Sequence, residues 1–195
     1  MSNKGWVETV ASAQSDGPAK SSFTTAVSIL PDHARYVIPG GSSGQSLYWA
    51  GQQLRLTASG RISNVVTSQP TFTFEVRMGP ASAVVAFSTG ALTCSTTAHT
   101  NLPWWLDVLL TLRSPGATAA FMGQAIVHSQ VFVASGATAD GANTHTMLMG
   151  PNTAPTVGST FDTTGANMLD LFCGCSASNA SNAITLHQYS LQSLN

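Results

Sequence analysis

The chain has 195 residues, a net charge of −1 and only 8% charged residues, where a soluble domain ordinarily carries about 25%. That balance excludes a basic field for nucleic acid and an acidic tail. It leaves the surface to Ser, Thr, Ala, Gly and Asn, on a chain long enough for one domain with a sizeable core.

Free monomers use surface charge to stay soluble and to block edge-to-edge strand pairing. A chain this poor in charge is expected to spend its life packed against copies of itself or a partner. The most apolar run, Trp104 to Leu112, is interrupted by Asp107 and is far short of the ~20 residues of a membrane helix. The first residues, Met1 to Trp6, lack the apolar stretch of a signal peptide. Synthesis in a cytosol, with no membrane partner, is the expectation.

Residues 1–35 differ from the rest of the chain. Val7 to Ser28 is polar, small and weakly periodic, with a turn signal at Asp16-Gly17-Pro18. Residues 1–35 read either as an N-terminal arm or as a first strand. From residue 36 to 195 the period is two. Residues 53–59 alternate, and residues 71–78 alternate better, with Phe72, Phe74, Val76 and Met78 on one face. A strand over 83–89 comes after the turn at Met78-Gly79-Pro80. Leu106, Val108, Leu110 and Leu112 form another inward row, opposed by Asp107, Thr111 and Arg113. Further strands are predicted at 119–127, 144–149, 168–173 and 183–191, set apart by Ser114-Pro115-Gly116 and Met149-Gly150-Pro151-Asn152. No helical stripe and no fixed-period repeat is present.

The predicted fold is all-β, an antiparallel β-sandwich of jelly-roll type with about eight core strands. Phe72, Phe74, Leu106, Leu110 and Phe121 are the predicted core. Three cysteines, Cys94, Cys173 and Cys175, make an odd count that argues against a disulfide framework. Cys173 and Cys175 share a strand face and read as small buried hydrophobes.

Several segments carry a family resemblance. They are Leu30-Pro31-Asp32-His33-Ala34-Arg35-Tyr36, the run from Leu54-Arg55-Leu56 to Val65-Val66-Thr67, and Thr97-Ala98-His99-Thr100-Asn101-Leu102-Pro103-Trp104. Asn152-Thr153-Ala154-Pro155 and the ending Leu186-His187-Gln188-Tyr189-Ser190-Leu191 onward complete the set. Over most of residues 24–195 the chain resembles a family of structural proteins of tailed bacteriophages and prophages. The resemblance implies a non-enzymatic virion component. The resemblance does not separate head from tail; taken with the low charge, the expectation is a capsid decoration or cement protein on the head exterior, bound to the major capsid protein as a homotrimer. A tail- or neck-associated host-recognition module that binds glycan is the alternative. No catalytic residue, metal or cofactor is expected.

The chemistry-bearing residues agree. Gly40-Gly41-Ser42-Ser43-Gly44 matches the G-x-S-x-G pattern, but Pro39 precedes it and no helix pattern comes after it, so it reads as a loop. His33, His99, His128, His145 and His187 show no metal-ligand spacing. His145 with Asp140 and Asn143 reads as a solvated loop. Asp107 is expected to pair with Arg113 or with an arginine on a neighbouring strand. Alternation sends one ring of Trp104-Trp105 inward and the other outward. The outward ring suits a subunit interface, a sugar platform or a strand-end rim. Trp6, Trp104, Trp105, His187 and Tyr189 are the candidate interface residues. His187, on a strand with Tyr189 and Leu191, reads as a core or interface histidine.

Overall fold

The computed structural model describes residues 7–41, 48–65, 69–133, 146–151, 153–154 and 156–194. Thirteen strands run in chain order among these residues. They are β1 (Val7–Ser12), β2 (Lys20–Ser21), β3 (Val27–Ser28), β4 (Tyr36–Ile38), β5 (Gln53–Asn64), β6 (Thr71–Met78), β7 (Val84–Ser88), β8 (Leu92–Thr93), β9 (His99–Ser114), β10 (Ala120–Ser129), β11 (Thr146–Gly150), β12 (Asn167–Cys175) and β13 (Ala183–Leu194). Single 3-10 turns at Asp32–Ala34 and Pro80–Ser82 are the described helical pieces.

The strands form two antiparallel sheets packed as a sandwich, consistent with a jelly-roll-like layout. The larger sheet runs β1-β13-β5-β9-β10-β11, with β2 also on β13. The smaller runs β3-β12-β6-β7, with β4 also on β12 and β8 on β6. Alternation sets the burial. Along β6 every second residue from Phe72 is buried, and along β5 the inward set includes Leu54, Leu56, Ala58 and Ile62. Phe72, Phe74, Leu106, Leu110 and Phe121 are all buried, as the sequence predicts. The rings of Phe74 and Trp104 meet across the two sheets with centroids 5.1 Å apart, and Phe121 stacks on Phe161 at 5.5 Å. Cys94, Cys173 and Cys175 are buried free thiols, and burial raises the pKa of each.

Residues 7–35 are woven into both sheets. β1 and β2 add to β13 and β3 to β12, where β4 pairs with the neighbouring stretch. Ile29, Leu30 and Ala34 belong to the same core cluster as Leu106 and Leu171. Beside β12, Arg35 spans two carboxylates. Its Nη2 lies 3.1 Å from Asp32 Oδ1 and its Nε 3.0 Å from Asp170 Oδ2. Ser28 Oγ donates to the buried Asp170 at 2.8 Å.

One irregularity shapes the outer face of the larger sheet. The register between β13 and β5 shifts between Leu186, which faces Gly60, and Gln188, which faces Ser59. His187 is the extra residue of this bulge, so Leu186 and Tyr189 both point inward while His187 and Gln188 both point out. Gly60 admits the bulge. A Cβ there would lie 2.0 Å from the Thr185 carbonyl oxygen.

Candidate functional site

The outer face of the larger sheet carries the candidate site. Register defines its rows. Gln188, Ser59, Trp105, His128 and Met147 are successive cross-strand partners from β13 to β11. The next row is Ser190, Thr57, Asp107, Ile126 and Met149. A third brings Arg55, Leu109 and Gln124 into line.

Trp105 is 47% exposed and stands at the boundary of two hollows. The larger, about 430 Å³, is lined by Arg61, Trp105, His128, Gln130, His187 and Gln188, among others. The smaller, about 280 Å³, has Ala13, Thr57 and Ser190 in its wall and shares Ser59, Trp105 and Gln188 with the first. Arg61 Nη1 donates to the Asn101 carbonyl at 3.4 Å. His187 Nδ1 lies 2.9 Å from Asp16 Oδ1 at the surface. The arrangement is an aromatic plate with polar side chains raised around it. Such a surface holds the apolar face of a ring while its polar groups bond the rim.

Toward β11 the same face turns apolar. Leu109, Ile126, Met147 and Met149 are exposed on β9, β10 and β11. Leu109, Ile126 and Met149 line a shallow hollow of about 340 Å³ together with Arg55 and Asp107. Arg55 Nε donates to Asp107 Oδ1 at 3.0 Å, so the neighbouring-strand pairing expected for Asp107 is present.

The structure separates the sequence candidates. Trp105 and His187 share the larger hollow. Trp104 also borders it, but its side chain is buried, with the indole N–H shared between the carbonyls of Arg61 and Thr185 at 3.2 and 3.3 Å. It is a core residue and is withdrawn as a contact residue. Tyr189 is corrected for the same reason. It is 4% exposed, and the bulge at His187 turns it into the core, where burial raises its pKa. The bulge also takes His187 out of the core, so it is a surface histidine. Trp6, the Ser42–Gly44 part of the glycine-rich segment, and the group His145, Asp140 and Asn143 lie outside the described residues. Among the described residues no cluster of three or more His, Cys, Asp or Glu is placed to hold a metal ion, and no helix is long and apolar enough to cross a membrane.

Sequence reading missed Arg61, His128 and Gln188 as neighbours of Trp105, because only the cross-strand register brings them together. It also missed the apolar strip. Its signal was present: Leu109 lies between the inward Val108 and Leu110 and must therefore point out.

No family model and no curated protein matches the chain. Among solved structures it is similar to the CBM2 module of the evolved Dit of Lactobacillus casei BL23 phage J-1. The match has 8% sequence identity, covers 98% of each chain and gives a TM-score of 0.38. A likeness at that level carries no argument about ligand or assembly.

Proposed function

We propose that the chain is a non-enzymatic structural protein of a tailed-phage virion, a capsid decoration protein that packs as a homotrimer on the head exterior against the major capsid protein. The observation that carries this reading is the exposed strip of Leu109, Ile126, Met147 and Met149 on a chain with only 8% charged residues. Contiguous exposed apolar surface marks an interaction site. The occupant we assign to it is a second copy of this chain. Copies that each carry a net charge of −1 approach without appreciable repulsion, and the nearby Arg55–Asp107 pair is neutral in itself. Three weak shell contacts on one trimer add up to a firm attachment. The resemblance in the sequence segments supports the phage setting.

A second reading is favoured by the Trp105 groove. There the protein is a tail- or neck-associated module that binds host-surface glycan, with a sugar ring stacked on Trp105. Copy number separates the two. Quantitative mass spectrometry of purified virions near one-to-one with the major capsid protein supports decoration of the shell. A few copies per particle supports the tail reading, and absence from the particle removes both.

A further inference from the structure

We propose that the Trp105 groove takes an acidic saccharide of at least two units, with the charged unit in the hollow that holds Arg61 and an uncharged unit in the hollow on the other side of the tryptophan. This rests on the reading of the groove as a glycan site.

The two hollows meet at Ser59, Trp105 and Gln188 and differ in chemistry. The larger is lined by one arginine and two histidines and by no carboxylate. Asp16, outside the lining, lies 2.9 Å from His187. The smaller is lined by alanine, serine and threonine positions with Gln188, Tyr189 and Trp105, and contains no charged residue. Arg61 faces Pro103 across the sheet, and Trp105 is two residues further along β9. The guanidinium therefore springs from a position diagonal to the aromatic plate. Its bond to the Asn101 carbonyl is long, at 3.4 Å, and leaves its other N–H groups for an acid. A guanidinium presents a planar fork that matches a carboxylate or phosphate. On a chain with seven Lys and Arg in 195 residues, an arginine beside the exposed tryptophan marks the end of the groove where charge is read.

The test uses the full chain on a saccharide array. Uronate-bearing, sialylated and phosphate-bearing oligosaccharides are each paired with the neutral parent, and hits are measured by titration calorimetry. At least one acidic member should bind about tenfold or more tighter than its parent, the usual scale of one charged hydrogen bond. That preference should shrink as salt is added. Arg61→Gln should erase the preference while keeping the weaker binding of the neutral parent, and Trp105→Ala should abolish binding of both. Whether the carboxylate or the phosphate arm responds identifies the acid. Equal binding of acidic and neutral partners overturns the charge assignment and leaves the glycan site standing. No binding anywhere on the array overturns both.

Discussion

Trp104 and Trp105 are consecutive residues of β9 on opposite faces of one sheet. The first is 2% exposed and packs on Phe74; the second is 47% exposed and faces two hollows. Truncating them should therefore have separable effects. Trp104→Ala should lower unfolding free energy by about 3–5 kcal/mol, the usual cost of deleting a large buried ring. Trp105→Ala should change it by no more than about 0.5 kcal/mol, as for other surface positions. Urea denaturation of both variants reads this directly. Equal losses would mean that Trp105 is a packing residue and would remove the groove as a binding surface.

Gly60 controls the shape of that groove from behind. Any side chain there meets the Thr185 carbonyl at the bulge that turns His187 and Gln188 outward. Gly60→Ala should cost roughly 1–3 kcal/mol through forced backbone displacement. Because the bulge sets which face His187 occupies, the same change should also weaken any ligand held beside it. Thermal unfolding, together with the His187 imidazole resonances in NMR, checks both effects. An unchanged melting temperature and an unchanged His187 environment would show that the strands part without cost.

Local alternation is enough to locate most strands of the sandwich. Residues 71–78 read from the sequence as a strand with the bounds that β6 has, because every inward position there is large and apolar. β5 and β9 run further than alternation suggests. β5 continues through Gly60 to Asn64, and β9 begins at His99, before Pro103. Gly and Pro read as punctuation, yet here the glycine sits at a bulge and the proline lies within a strand. β1, β3 and β4 have weak patterns of their own and are held by β12 and β13, far along the chain. Pairing at that separation leaves no local trace. The bulge at His187 is hidden for the same reason, since an extra residue exists only relative to a partner strand, and one slip reverses every later side chain.

The apolar strip gives a prediction about assembly. Ile126 lies between Asp107 and Met149 in its row and is 37% exposed. Ile126→Glu introduces a charge where the next copy is proposed to pack, so it should convert the oligomer to monomer without unfolding the sandwich. Sedimentation velocity at matched concentrations measures the mass, and circular dichroism checks the fold. An oligomer that persists with native mass in this variant would place the contact elsewhere.

Asp170 supplies the pH dependence. Its carboxyl is raised above the ordinary 3.8, chiefly because burial penalises the charged form, with the Ser28 hydroxyl and the Arg35 guanidinium partly offsetting that penalty. Between 3.8 and the raised folded value, the folded chain keeps a proton that the unfolded chain has lost. The contribution of this group to stability is therefore fully present below 3.8 and falls as pH rises through the folded value. Asp170→Asn cannot titrate, so the stability of the native protein relative to this variant should decline as pH rises across that window. Removing Arg35 instead leaves the buried carboxylate without its cation, and Arg35→Met should cost about 3–5 kcal/mol at neutral pH. That cost should shrink in acid, where the carboxyl is protonated and needs no partner. Urea titrations of the three proteins from about pH 3, below the carboxylate's ordinary value, up to about pH 7 test both effects. A relative stability that climbs with pH would mean that Arg35 and Ser28 outweigh burial, and that the Arg35–Asp170 contact is a stabilising ion pair.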